Sequence, residues 1–93
     1  MAFEKAHVLQ DTAQIYESKY SRSLPSDVLN DALDAAQAAY NQRGYDYMIL
    51  DVRTRTEELL EGLDVSSTPD EAASYRAHEA LLEALRKLQI QSN

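Results

Sequence analysis

Two histidines are the residues of this chain best suited to metal or acid–base chemistry, and their spacing argues against both. Glu4 and His7 have the Glu-x-x-His spacing found in di-iron helical bundles. A di-iron site needs that motif twice, whereas Tyr75 stands three residues before His78. We therefore predict no metal site, and we expect His78 to lie at the edge of an apolar helix face with a hydrogen bond to a neighbour.

Other patterns that could carry catalysis are also incomplete. A calcium-binding EF-hand loop starting at Asp64 would need Gly and Glu at the positions held by Pro69 and Tyr75. The sequence has no Gly-x-Ser-x-Gly elbow, no glycine-rich phosphate loop and no cysteine. We predict a protein that is not an enzyme and that has no cofactor.

One basic cluster interrupts the polar sequence in the middle of the chain. Arg53 and Arg55 flank Thr54, and Glu57 follows Arg53 at the i,i+4 spacing that forms ion pairs on a helix. The cluster is therefore either an exposed face neutralised by neighbouring glutamates or a patch that contacts a carboxylate or phosphate group. The sequence leaves both interpretations open.

The acidic composition narrows the classes of partner. The 93 residues include 9 Lys and Arg against 16 Asp and Glu, which gives a formal net charge of −7. Nucleic-acid phosphates and anionic lipids repel such a chain, so we expect no nucleic-acid partner. No apolar stretch is long enough to span a membrane and the N-terminus does not resemble a secretory signal, so we expect a cytoplasmic protein.

Prolines and glycines divide the chain into four amphipathic segments. Pro25 and Pro69 stand at predicted first helical positions, and Gly44 and Gly62 stand where a left-handed turn would end a helix. Apolar residues recur at steps of three and four within each segment. We predict a single all-α domain over residues 1–93, an antiparallel four-helix bundle with helices at about residues 3–20, 25–43, 46–62 and 69–88.

Local signals refine the ends of these helices. Asp46 is the predicted N-cap of the third helix, and the sequence from Thr68 to Glu71 has the form of a capping box before the fourth. We expect residues 89–93 to fray. The short connections predict that consecutive helices pack antiparallel.

Three apolar patterns occur in the order of a known family. They are residues 24–29 (LPSDVL), residues 47–52 (YMILDV), and a loop over residues 63–71 that precedes a helix bearing Leu81, Leu85 and Leu88. In this order and spacing the chain resembles the immunity proteins for pediocin-like (class IIa) bacteriocins, the enterocin A immunity type. It departs from many members of that family in being acidic and in its alanine-rich second helix.

The resemblance implies a protein that protects a cell from a pore-forming peptide. Family members engage, from the cytoplasmic side, mannose phosphotransferase membrane components that have bound the bacteriocin. They approach the membrane through this protein partner and do not insert into it. Specificity in the family lies in the C-terminal half, which corresponds here to residues 51–93. The candidate binding residues in that half are Arg53, Arg55, Tyr75, Arg86 and Lys87.

A different function class fits the same sequence. A small acidic helical interaction module, such as an antitoxin, a phage-encoded inhibitor or an adaptor, would also combine a net charge of −7 with no catalytic motif. The sequence does not choose between these partners and does not give the oligomeric state.

Overall fold

Four α-helices form an antiparallel bundle, as the sequence predicts. The computed structural model describes the backbone of residues 3–92 and the side chains of residues 3–89. The helices are α1 (Lys5–Tyr20), α2 (Asn30–Arg43), α3 (Tyr45–Glu61) and α4 (Pro69–Ser92), and a 3₁₀ turn (Ser26–Leu29) precedes α2. Within the described residues no segment is a β-strand.

The helix α4 is central to the bundle, because it packs along both α1 and α3, while α3 packs along α2. Asp46 at the start of α3 meets Gln89 near the end of α4, so these two helices run antiparallel. Lys19 near the end of α1 meets Glu83 of α4. The prediction that consecutive helices pack on each other is confirmed for α2 with α3 and for α3 with α4. It is wrong for α1, which packs mainly on α4, because residues 21–25 carry the chain across the end of the bundle.

The core is built from aliphatic side chains and small residues that all four helices contribute. Leu29, Met48, Leu81 and Leu85 are among the largest fully buried side chains. Alanines that are nearly or wholly inaccessible let the helices approach closely; they are Ala32 and Ala36 of α2 and Ala77, Ala80 and Ala84 of α4. Close packing of this kind makes the bundle sensitive to small changes in core volume.

Two threonines are buried among these apolar residues, and both of their hydroxyls are hydrogen-bonded. The Thr12 Oγ1 donates to the Val8 carbonyl at 2.7 Å, and the Thr56 Oγ1 donates to the Val52 carbonyl at 2.8 Å. Each hydroxyl therefore bonds to its own helix one turn back, which removes the cost of burying a polar group.

The two glycines end helices in different ways. Gly44 has the positive φ that was expected, 92°, but its ψ of −174° lies outside the left-handed helical region, in a conformation that is essentially reserved for glycine. It joins α2 directly to α3. The expectation of a left-handed turn at Gly62 is wrong, since its φ is −79° and its ψ is −9°. There the amide of Leu63 bonds to the Leu60 carbonyl, which tightens the last turn of α3 and needs no left-handed residue.

Other predicted helix ends are corrected in detail. Asp46 lies in the first turn of α3 and does not cap it, because α3 begins at Tyr45 directly after Gly44. The predicted helix at residues 25–43 opens instead as a 3₁₀ turn, in which the Val28 amide bonds to the Pro25 carbonyl at 3.2 Å. The tighter winding of that turn accompanies the complete burial of Leu29.

The start of α4 follows its sequence signal, and its end lies beyond the predicted one. Pro69 is the first residue of α4, and the Glu71 amide donates to the Thr68 Oγ1 at 3.2 Å. The predicted end of this helix near residue 88 is too early, since α4 continues to Ser92. The Gln89 side chain donates to Asp46 at 2.6 Å and so ties this end to α3. Residue 93 lies outside the described residues.

The two glycines provide a matched test of this backbone geometry. We expect Gly44→Ala to lower the free energy of unfolding by about 1–3 kcal/mol, because alanine is strained at a positive φ. Gly62→Ala should raise it by about 0.4–1 kcal/mol, because the added Cβ finds ordinary contacts at 3.6 and 3.7 Å and the unfolded chain loses freedom. Urea unfolding of both variants measures the difference, and equal effects would contradict the assignment.

A second test concerns the core of α4. Leu81 is wholly buried, so Leu81→Ala should cost about 2–5 kcal/mol of unfolding free energy through lost burial and a residual cavity. Leu60 is 50% exposed, and Leu60→Ala is the matched control, with an expected change within about 0.5 kcal/mol. Urea unfolding monitored by circular dichroism compares them, and similar midpoints would argue against a central α4.

Candidate functional site

A groove of about 420 Å³ runs between α3 and α4 and is closed at one side by the end of α1. We call it the α3–α4 groove. Its lining combines charged, aromatic and aliphatic side chains: Lys19, Arg53, Thr56, Glu57, Leu60, Tyr75, Glu79, Leu82, Glu83 and Arg86.

Three of the five candidate binding residues lie together in this groove. Arg53 comes from α3, and Tyr75 and Arg86 come from α4. Tyr75, Leu82 and Arg86 recur at steps of seven and four, which keeps them on one side of the helix. The bundle thus brings Arg53 of α3 to the same groove as Arg86 of α4, although they are far apart in sequence.

Arg55 and Lys87 do not belong to the groove. Arg55 lies about 200° around α3 from Arg53, at about 100° per residue, and its Nε donates to Asp51 at 3.3 Å. Lys87 lies about 100° around α4 from Arg86 and lines a hollow of about 200 Å³ between α4 and α1. Helical rotation therefore separates each of these cations from its neighbour in sequence.

Cations and carboxylates alternate along the groove. The Lys19 Nζ lies 2.7 Å from Glu83, and this hydrogen bond raises the pKa of Lys19. The Arg53 Nε lies 2.9 Å from Glu57. Both pairs are exposed, and ion pairs of this kind are weak in water, so either cation can exchange its partner at little cost. Arg53 therefore fits both interpretations of the basic cluster. It is neutralised by Glu57 on its own helix, and it also lines a groove where it could contact an external carboxylate.

Arg86 is the groove cation for which the described residues provide no partner. It is exposed, and it makes no ion pair or hydrogen bond with any other residue in the described part of the chain. A guanidinium group that is not engaged within the protein can form a bidentate contact with an external carboxylate. This makes Arg86 the strongest single candidate for contact with a ligand.

Tyr75 supplies an amphipathic surface in the same groove, about three helical turns before Arg86 on α4. Partial burial, together with the neighbouring Glu79 carboxylate, raises the pKa of Tyr75 and keeps the phenol protonated at neutral pH. A protonated phenol donates a hydrogen bond while its ring offers apolar contact, a combination that is frequent at protein interfaces.

Sequence reasoning missed several residues of this groove. Glu79 and Glu83 follow Tyr75 at helical spacing, so the pattern of α4 could have indicated them. Lys19 carries no such signal, because only the packing of α1 on α4 brings it to the groove.

The buried histidine lies outside the groove and matches its predicted environment. His78 is buried, and its Nδ1 lies 2.7 Å from the Ser74 carbonyl, which assigns the proton to Nδ1 because a carbonyl oxygen only accepts. Burial lowers the pKa of His78, and the positive charge of Arg55 lowers it further, against the opposing effect of the Ser74 hydrogen bond. The imidazole is therefore neutral at physiological pH.

The groove residues are suited to recognition. None of them is a histidine or a cysteine, and the one threonine, Thr56, donates its hydroxyl to its own helix. Among the described residues no three His, Asp or Glu side chains converge as a metal site would require. None of the described helices has the length and apolar character needed to cross a bilayer.

The burial of His78 predicts a dependence of stability on pH. The folded pKa lies below the unfolded value of about 6.5. The stabilising contribution of neutral His78 is therefore complete above that value, and it is lost as the pH falls toward the folded pKa. In a His7→Gln background, the free energy of unfolding should fall between pH 7.5 and 5.5. His78→Asn, which keeps a donor for the Ser74 carbonyl, should flatten that slope, and an unchanged slope would contradict the assignment.

Comparison with known proteins gives no further guide to this site. No protein-family model matches the sequence, and neither curated proteins nor solved structures gave a significant match. The functional interpretation therefore depends on the fold and on the chemistry of the α3–α4 groove.

Proposed function

We propose that this chain is a bacteriocin immunity protein that acts by binding a protein partner through the α3–α4 groove. The partner is the membrane component of a mannose phosphotransferase carrying a bound pediocin-like peptide, approached from the cytoplasmic side. The proposal has two parts. The first, that the groove binds a protein, is supported by geometry, and the second, the identity of the partner, is supported by the resemblance in helix order.

The observation that carries the first part is the convergence of Arg53, Tyr75 and Arg86 on one groove. Arginine and tyrosine are over-represented among the residues that dominate binding energy in protein interfaces. Leu60 and Leu82 line the same groove and provide apolar contact between the polar residues. Such a mixture of aliphatic, aromatic and guanidinium groups suits the side chains of a polypeptide.

The location of the groove supports the second part. All the groove residues except Lys19 belong to the C-terminal half, the region that the resemblance associates with specificity. The antiparallel four-helix bundle is also the fold that the resemblance implies. The comparisons add no support for this part, so helix order and site location are its whole basis.

Electrostatics shape how the partner would dock. Three cations and three carboxylates line the groove, so the groove is close to neutral within a chain of net charge −7. A partner loop that carries a carboxylate for Arg86 and an apolar residue for Leu60 would fit this lining. Displacement of Glu57 from Arg53 or Glu83 from Lys19 would offer it a second cation.

The second candidate is a cytosolic interaction module with a different partner, such as an antitoxin or a phage-encoded inhibitor. The net charge of −7 favours it, because many members of the immunity family are basic and an acidic chain favours a cationic partner. The same groove would serve this function, so mutation of the groove tests binding in either case and the biological assay separates the two.

The experiment that tests the proposal is expression of the chain in a lactic acid bacterium that is sensitive to pediocin-like peptides. We expect selective protection against one subgroup of a peptide panel. The double variant Arg53→Ala, Arg86→Ala should weaken partner binding about tenfold or more and abolish protection. Arg55→Ala with Lys87→Ala, which removes the same charge outside the groove, should protect as well as the parent.

Each other outcome has a defined meaning. Absence of protection across the panel, with expression verified, would refute the immunity role. Pull-down of a cytosolic protein that is lost with the groove variant and kept with the control would then support the second candidate. Equal behaviour of the two double variants would refute the α3–α4 groove as the binding surface.

A further inference from the structure

A second surface lies where α3 passes into α4, apart from the α3–α4 groove. Leu59 and Leu63 are half-buried there and line a hollow of about 290 Å³ together with Gly62 and Ser74. Two carboxylates also line it, Glu58 from α3 and Glu71 from α4. We call this surface the acidic hollow. It shares no lining residue with the groove described above.

Apolar exposure continues from the hollow into the adjoining loop. Val65 is fully exposed, with 107% of its reference area accessible. In the same loop the Asp64 carboxylate accepts hydrogen bonds from the amide and the hydroxyl of Ser66, which fixes the turn beside Val65. An aliphatic hollow next to an exposed valine is a surface that gains free energy when a partner covers it.

Carboxylates predominate around this surface, and the cation one turn before Leu59 on α3, Arg55, is paired with Asp51. Between Thr56 and Tyr75 the sequence contains six acidic residues and no Lys, Arg or His. The six are Glu57, Glu58, Glu61, Asp64, Asp70 and Glu71. In the described part of the chain only Glu57 among them has an ion-pair partner, Arg53. The remaining five carboxylates form a field that attracts a cation and repels an anion.

Two of these carboxylates lie where their negative charge destabilises the folded helix. Glu58 and Glu61 lie in the last turn of α3, the end of a helix that carries partial negative charge, and no basic residue accompanies them there. They also repel each other at i,i+3 spacing. Residues that break a local stability rule without compensation are characteristic of functional surfaces.

We propose that the acidic hollow docks a cationic segment of another polypeptide that carries an aliphatic side chain. The aliphatic side chain fills the space between Leu59 and Leu63, and flanking lysines or arginines meet Glu58 and Glu71. Charge complementarity selects this occupant, since a second copy of the chain would present −7 to −7. The surface works independently of the bacteriocin proposal.

A bound metal ion is a poorer occupant of the same surface. Among the described residues no three carboxylates or imidazoles converge, so the acids of this region are dispersed around the hollow and do not form a coordination shell. A dispersed acidic rim around an aliphatic floor matches the alternation of charge and apolar groups along an amphipathic peptide.

The test uses the full chain, labelled with ¹⁵N, and a synthetic amphipathic helical peptide of leucine and lysine. We expect the peptide to shift the amide signals of the residues that line the acidic hollow, and we expect its affinity to fall steeply with salt. Two matched peptides serve as controls, one with glutamate in place of lysine and one with serine in place of leucine, and neither should bind.

Variants then distinguish peptide binding at the acidic hollow from attraction by the net charge of the protein. Glu58→Gln with Glu71→Gln should weaken peptide binding tenfold or more. Asp27→Asn with Asp31→Asn, which removes the same charge before and within α2, should change it less than twofold. Leu63→Ser tests the apolar floor, and thermal unfolding verifies that each variant is folded; should Leu63→Ser not fold, Leu63→Ala replaces it.

Three results would overturn the proposal of a docking site at the acidic hollow. Equal losses from the two glutamate and the two aspartate changes would mean attraction by net charge alone. Signal shifts confined to the α3–α4 groove, or no binding at low salt, would also refute the proposal. The protection assay against bacteriocins has no bearing on these outcomes, so the two proposals fail separately.

Discussion

Burial of the apolar side of α4 is the interaction on which the rest of this structure depends. Ala77, Leu81 and Leu85 are wholly inaccessible, and they lie on α4, the helix that packs along both α1 and α3. A bundle of this size has few core residues, so each contributes a large share of a small net stability. Removing this contact would separate α1 from α3 and would also remove the wall common to the groove and the hollow.

The same helix links stability to function. Its buried stripe fixes its rotation, and rotation decides which polar residues face each surface. Tyr75 and Arg86 are thereby directed to the α3–α4 groove, Ser74 and Glu71 to the acidic hollow, and Lys87 to the side facing α1. A polar residue of α4 thus acquires its role from the hydrophobic residues one turn away.

The two surfaces differ in charge although they share α3 and α4. Cations balance carboxylates in the groove, whereas carboxylates alone rim the hollow. The fold accepts this imbalance because those glutamates are exposed, where water and salt weaken their repulsion. Distinct electrostatic character on two neighbouring surfaces would allow a small acidic bundle to contact two polypeptide segments of different chemistry.

The sequence by itself determined the fold class, the four helices and the start of α4, because apolar spacing, Thr68 and Pro69 act within a few residues of each other. It also anticipated that His78 would bond to a neighbour. Only tertiary structure decided that α1 packs on α4, that Lys19 joins Arg53 and Arg86, and that Arg55 does not. The physical reason is that helix propensity and capping depend on residues close in sequence. Contacts across a bundle depend instead on which apolar helix faces are buried together.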